Sequence, residues 1–288
     1  MKKAEALIRK RLLANDSLAK VLATFGGIPA IFYQEAPDDT SEHWDRDQYP
    51  RIVFLADTFS DAEHGSRKVL SVDIMCSSTG VAPEKLEPFV RQALESVFFT
   101  PEDTVPFISV WRESQAFQAQ SGEQGKLIYG ITLSFDIYEY PPLITSDPDP
   151  ITAISRYVQE WDENIAVIGF TELSDVYVPS RNHPAIYFSL SSRTINRQTN
   201  TVVWLDAEIV IHLFAPTIQD RIEWLEQLSQ SLALDGEIIM LDKSPMFLRQ
   251  LRGDTAGDEI TGQLRLSVQY GLLRRPKYAH TMMHTQLK

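Results

Sequence analysis

Cys76 is the only cysteine of the chain, and a lone thiol acts as a nucleophile only where it reaches solvent as the thiolate. It falls instead in the run Leu70, Val72, Ile74, Cys76, the apolar face of an alternating strand, which predicts a small core residue. One cysteine cannot form an internal disulfide, and synthesis in a reducing compartment follows naturally. No serine stands in a G-x-S-x-G elbow, and the histidines scatter over loops and the tail, so no nucleophile is paired with a base. Two clusters have the residue types of a metal site. Asp57, Asp61, Glu63 and His64 crowd together after a strand, but their spacing matches no ligand pattern, and a solvated hairpin tip accounts for the polarity. His280 and His284 would share a helix face, yet they lack the glutamate expected beside the first histidine of a zinc hydrolase. Neither a Walker-type phosphate loop nor a G-x-G-x-x-G turn is present. The expectation is therefore a protein that is not an enzyme, with no catalytic, cofactor-binding or metal-binding residue.

Binding chemistry is the other possibility that side chains alone could declare. Trp44, Tyr49, Trp111 and Tyr129 stand among charged residues, where aromatic rings can stack nucleic-acid bases. No basic stripe accompanies them, and a net charge of −12 argues against wrapping nucleic acid, which draws affinity from lysine and arginine at phosphates. Acidity suits a soluble protein, or a channel wall past which DNA slides without sticking. Trp161, Trp204 and Trp224 fall on faces of predicted helices or strands and read as core or interface anchors. No window approaches the run of about 18 apolar residues that a membrane span requires. Charges interrupt the amino-terminal segment Met1 to Arg11, where a secretory signal would be apolar.

The elements that would position any site are written twice, about 134 residues apart. Tyr49-Pro50-Arg51-Ile52-Val53-Phe54 reappears as His183-Pro184-Ala185-Ile186-Tyr187-Phe188. A second strand follows in each copy: Leu70, Val72, Ile74 and Cys76 match Leu205, Ala207, Ile209 and Ile211. Then comes an amphipathic helix, with Leu86, Phe89, Val90, Ala93, Leu94 and Val97 in one copy and Ile218, Ile222, Leu225, Leu228 and Leu232 in the other. In the closing strands Leu133-Ser134-Phe135 aligns with Leu266-Ser267-Val268. The glycine pair Gly125 and Gly130 also recurs as Gly257 and Gly262, but that alignment slips the strands by one residue and turns their apolar face to water, so the facing is preferred.

Each copy reads as helix, three strands, helix and two closing strands. In the first these are strands near Ile31–Tyr33, Ile52–Leu55 and Leu70–Cys76, then a helix from Glu84 to Phe98. In the second they are a helix from Ile151 to Trp161, strands near Val176-Tyr177, Ile186–Leu190 and Val203–Leu213, and a helix from Ile218 to Leu234. The fold class expected is α+β: two tandem copies of a domain whose mainly antiparallel sheet is covered by helices on one face. Domain 1 would span 1–142 and domain 2 residues 151–277, with the proline-rich linker 143–150 between them and a flexible basic tail at 278–288. Three long polar stretches, Pro37 to Gln48, Arg112 to Lys126 and Leu251 to Gly262, read as connections, and as arms that reach a neighbouring subunit.

The run Ile28-Pro29-Ala30-Ile31-Phe32-Tyr33-Gln34-Glu35-Ala36-Pro37, then Gln48-Tyr49-Pro50-Arg51-Ile52-Val53-Phe54, the strand through Val72-Asp73-Ile74-Met75-Cys76 and the helix with Leu86, Phe89, Val90 and Leu94 resemble the tail-terminator or tail-completion proteins of tailed bacteriophages. The resemblance covers residues 4–100 well and 150–277 as a more diverged copy; it rests on element order and pattern. It implies a virion structural protein, made in the bacterial host cytoplasm, that forms a ring at the head-proximal end of the tail tube. Such a ring stops tube polymerisation and joins the tail to the head and neck. The implied partners are the chain itself, the tail tube protein and a neck or head-completion protein, with DNA passing through the lumen without specific binding and no membrane. Family members are single-domain hexamers, so a two-copy chain would build its ring from three chains, or from six with one domain decorating it. Alternatives are a head-completion or neck adaptor, the cap of a phage-derived contractile injection device, and an enzyme with an unrecognised loop site.

Overall fold

The computed structural model describes residues 3–61, 65–102, 105–121, 126–142, 148–253 and 257–274, without the side chains of 57–67 and 121. The chain divides into two compact units. The first comprises Met1–Pro142, Ile168–Ala185 and Phe214–Pro216, and the second Leu143–Val167, Ile186–Leu213 and Thr217–Lys288. Most of the linker expected at 143–150 and all of the tail expected at 278–288 lie outside the described residues.

In chain order, α1 (Ala4–Leu13), α2 (Asp16–Ala19), β1 (Thr24–Phe25), β2 (Ile28–Pro29), β3 (Ile31–Tyr33), β4 (Arg51–Asp61) and β5 (Gly65–Ser77) come first. A 3-10 turn, Pro83–Lys85, leads to α3 (Glu87–Leu94), β6 (Phe98–Phe99), β7 (Phe107–Ser121) and β8 (Lys126–Glu139). There follow α4 (Pro150–Trp161), β9 (Ala166–Val167), β10 (Val176–Tyr177), β11 (Ala185–Gln198) and β12 (Val202–Phe214). The last elements are α5 (Ile218–Asp235), β13 (Glu237–Ile239), β14 (Pro245–Gly253) and β15 (Leu264–Leu273).

The α+β class holds, and the sheets are mainly antiparallel, with β3 and β4 forming a parallel pair. The larger sheet runs β10-β6-β7-β8-β5-β4-β3 and the other β13-β14-β15-β12-β11-β9. Without β10 the two orders coincide element for element: the short strand after the second helix, the closing pair, the two long strands, and the short strand that follows the first helix. In the first unit the core joins Leu7, Ile8, Leu12, Val90 and Leu94 of the helices to Ile52, Phe54, Val72, Ile74, Leu133 and Phe135 of alternating strands. The core of the second unit is built likewise, from Ile154, Val158, Leu228 and Leu232 over Ile186, Phe188, Ile209, Ile211, Leu266 and Val268. Period-2 facing thus places one face of each sheet against its helices.

The closing strands agree in finer detail. Val72 lies opposite Leu133, and Ile209 lies opposite Leu266. Relative to the closing strand, the second long strand therefore sits two residues beyond the sequence match of Val72 to Ala207; a two-residue slide keeps every side chain on its face. A β-bulge interrupts each closing pair at the same place, between Trp111 and Glu113 in β7 and between Leu248 and Gln250 in β14. The extra residue is an arginine both times. Arg112 Nη1 donates to Asp136 Oδ1 at 3.1 Å, and Arg249 donates to Gln269 Oε1, at the position that corresponds to Asp136 once Leu133 is set on Leu266.

Three sequence expectations change. Arg112 to Lys126 is no loop: residues up to Ser121 continue β7, laddered to β8 as far as Lys126. Glu113, Ser114, Gln115 and Gln118 give both faces polar side chains, so the alternation that reveals a strand is missing. Leu251–Gly253 likewise belong to β14. Val176-Tyr177 is a strand, but it pairs with Phe99 and Phe98 in the first unit, where main-chain hydrogen bonding, invisible to patterning, decides its place. The helix expected at Glu84–Phe98 is split. α3 starts at Glu87 with Pro88 in its first turn, Glu95 is extended, Ser96 takes φ +56°, and Phe98-Phe99 enter the sheet.

Candidate assembly surfaces

Cys76 is buried, and burial, with Glu84 adding its negative charge, pushes its thiol up to about 11, far from a reactive thiolate. The cluster Asp57, Asp61, Glu63 and His64 and the pair His280 and His284 lie outside the described side chains. Among the described residues no group of three or more His, Cys, Asp or Glu could hold a metal.

One pair that sequence reading passed over has the geometry of a nucleophile and base. His212 Nε2 lies 3.1 Å from Ser189 Oγ, and Nδ1 lies 2.9 Å from the Glu259 carbonyl oxygen. Burial lowers the His212 pKa, so the ring is neutral, with Nδ1–H donating to the carbonyl and Nε2 accepting from the serine. The orienting group is a backbone carbonyl, and its work is structural. It latches β12 to the turn 258–262, in which Asp258 Oδ1 accepts from the Ile260 and Thr261 N–H groups and Gly262 takes φ +83°. Gln263 closes the latch: its Oε1 accepts from Leu213 N–H at 2.8 Å and its Nε2 donates to Leu213 C=O at 3.0 Å. In the sequence His212 falls on the face opposite Ile209 and Ile211, with Asp206 and Glu208, so the pattern carried no signal of its burial.

The aromatic residues are fold anchors. Trp44 is buried against Phe25, at 5.0 Å between centroids, and Phe32, at 5.9 Å. Tyr49 is buried with its hydroxyl 3.1 Å from Asp39 Oδ2, while the Arg51 guanidinium stacks 4.5 Å over its ring and pairs with Asp39 at 2.7 Å. Arg91 covers Trp111 at 3.7 Å. Trp161 meets Trp224 edge to face at 6.2 Å, and Trp204 packs near Phe247 at 6.4 Å. Tyr129 is exposed.

What remains exposed is suited to contact. The β7–β8 hairpin has strands of 15 and 14 residues, about 50 Å at ~3.3 Å per residue, against a usual strand of ~5–6 residues. Phe117 lies flat over Gly130 in this arm; a Cβ on Gly130 would meet Phe117 Cζ at 2.2 Å. Residues 191–200 of the β11–β12 hairpin are exposed on both faces. Along α5 the expected apolar stripe is only half buried: Leu228 and Leu232 enter the core, whereas Ile218 and Ile222 are exposed and line a cavity of about 230 Å³ with Leu225 and Gly257. Across that cavity Arg221 pairs with Glu259 of the latch turn. Leu225 still packs against the core, and beyond it Ile218 and Ile222 stay exposed.

No protein-family model matches the chain, and no curated protein matches it. Among the described residues no helix is long and apolar enough to cross a membrane.

Proposed function

We propose that the chain is a tandem duplication of one α+β module and that it acts as a virion structural protein, forming the ring that ends a phage tail tube and joins it to the neck. The observation that carries the reading is the twofold use of one strand order, with an arginine bulge at the same point of both closing pairs. Two homologous modules in one chain present alternating, heterologous contacts, and such contacts close into a ring when the rotation allows. Three chains would supply six modules. The exposed residues 112–116 and 118–120 of β7 and 191–200 of the β11–β12 hairpin support the same reading, because such surface suits contact with a neighbour or with the last ring of the tube. Cys76 is buried and the Ser189–His212 pair is engaged in the latch, and a mechanical role accords with this. An acidic lumen wall would let DNA pass.

The test is the mass and shape of the purified protein by light scattering and negative-stain imaging across concentration, with and without tail-tube protein. Rings of three or six chains that sit at tube ends are expected. A chain that stays monomeric and never engages tubes would overturn the reading, and rings that bind a capsid portal but no tube would make it a head-completion adaptor.

A further inference from the structure

One sheet edge is left open where others are plugged. The Ile31 C=O of β3 accepts from Arg9 Nε at 3.0 Å, the Val176 C=O of β10 from Ser174 Oγ at 2.8 Å, and the Ile239 C=O of β13 from Arg156 Nη2 at 2.8 Å. β6 covers β7 only at Phe107 and Ile108, and the Ser96 N–H closes on the Ser109 carbonyl. From Arg112 to Ser121 the outer edge of β7 has no further strand beside it in the sheet.

The ladder decides which groups point outward. The Ser78 N–H donates to the Leu127 carbonyl, so Leu127 faces β5, and alternation turns the main-chain groups of Ile128, Gly130, Thr132 and Ser134 towards β7. Their partners there are Ala119, Phe117, Gln115 and Glu113. Ser114, Ala116, Gln118 and Gln120 therefore direct both N–H and C=O away from the sheet, and among the described residues no hydrogen bond reaches these main-chain groups. All of them are exposed. The segment Ser114–Gln120 carries no charge and no proline, the residues that keep natural edges from pairing, whereas the exposed part of β11 has Arg193 and Arg197. Phe117, its one large side chain, is turned back over Gly130 and leaves the edge clear.

We propose that two copies of this chain pair β7 to β7, antiparallel about a twofold axis at Phe117. A hydrogen-bonded pair needs an outward residue on both strands, so the allowed registers step by two. The register centred on Phe117 uses every outward residue: Ser114 meets Gln120 and Ala116 meets Gln118, each way round, for about eight main-chain hydrogen bonds at two per such pair. It also sets a short side chain against a glutamine at Ser114–Gln120, Gln115–Ala119 and Ala116–Gln118, so long side chains lie beside small ones. Glu113 of each copy comes opposite Ser121 of the other, whose ladder partner on the same face is Lys126, and opposite charges thus lie at both ends of the seam. The contact is isologous and closes at two chains, so any assembly that uses it holds an even number of them. The pairing goes beyond the ring reading and stands without it.

Ala116→Pro removes an outward N–H that the chain's own sheet does not use, a position an edge strand tolerates. In analytical ultracentrifugation the unaltered protein is expected as a dimer or an even multiple of chains, and Ala116→Pro, checked for native circular dichroism, at half that mass or less. Cysteine cross-linking reads the register, because residues of a non-hydrogen-bonded pair lie ~4.5 Å apart at Cα, within disulfide reach. Under mild oxidation Phe117→Cys should join chain to chain, Gln115→Cys alone should not, and Gln115→Cys mixed with Ala119→Cys should; Cys76 is buried and stays out of the reaction. Should Ala116→Pro fail to fold, Gln118→Lys leaves the backbone intact, and its like charges across the seam are expected to weaken pairing by ~10-fold or more, about 1.4 kcal/mol. An unaltered chain that stays monomeric or holds an odd number, a folded edge variant that associates as the unaltered chain does, a Phe117→Cys that never cross-links, or a Gln115→Cys that cross-links alone would each overturn the proposal. Dimers that cross-link as expected yet form no ring at a tube end would sink the terminator reading and leave this pairing standing.

Discussion

Gly262 is the position where a single methyl group should do most damage, and a second glycine provides its control. A Cβ on Gly262 would lie 2.2 Å from Val210 Cγ1 and 3.3 Å from the Ile211 carbonyl oxygen, on a backbone with φ +83°. A side chain in the left-handed region costs ~1–2 kcal/mol, and overpacking against a neighbour adds ~1–3 kcal/mol. Gly262→Ala should therefore destabilise the second unit by roughly 2–5 kcal/mol. Gly236, which ends α5 at φ +67°, has nothing within 4 Å of its Cβ position, so Gly236→Ala should cost only the conformational part, ~1–2 kcal/mol. Urea unfolding followed through Trp161 and Trp224 would report both losses as shifts of midpoint at unchanged slope. Equal shifts for the two variants would refute the reasoning, since the Val210 contact is what separates them.

The same latch gives a pH dependence. The folded-state pKa of His212 lies below its unfolded value of ~6.5, so the unfolded chain binds the proton more readily. Its contribution is full above that value and is lost as pH falls towards the folded pKa; thermal midpoints should decline below about pH 6.5, and more steeply than in His212→Gln. The Cys76 thiol should resist a disulfide reagent at pH 8 in the native protein and react at once in denaturant; rapid native labelling would contradict its burial. Tyr157 links α4 to α5 through Ser231 Oγ at 2.8 Å and Asp235 Oδ2 at 2.6 Å, so Tyr157→Phe should cost ~1–2 kcal/mol in the same urea assay. Arg112→Ala removes the bulge contact to Asp136; a loss of ~0.5–1.5 kcal/mol is expected, against under ~0.5 kcal/mol for a surface change such as Lys20→Ala.

The sequence by itself determined the elements whose side chains face a core. Leu133, Phe135, Leu266 and Val268 alternate, α4 and α5 begin at the caps Asp149 and Thr217, and Cys76 is inward because period 2 puts it there. These follow from local periodicity and from the cost of exposing an apolar face, which acts over a few residues and is legible in a few residues. Where hydrogen bonding alone sets the structure, the sequence was mute. The polar ladder of Arg112–Ser121 pairs through its main chain, which every residue but proline carries alike. The placement of Val176-Tyr177 on β6, the two-residue slide of β12 and the exposure of Ile218 and Ile222 each depend on which edge or surface lies opposite. The Ser189–His212–Glu259 latch joins residues 23 and 47 positions apart. Tertiary structure decided these because a backbone amide or an apolar stripe states that it needs a partner, and only the folded sheet supplies which one.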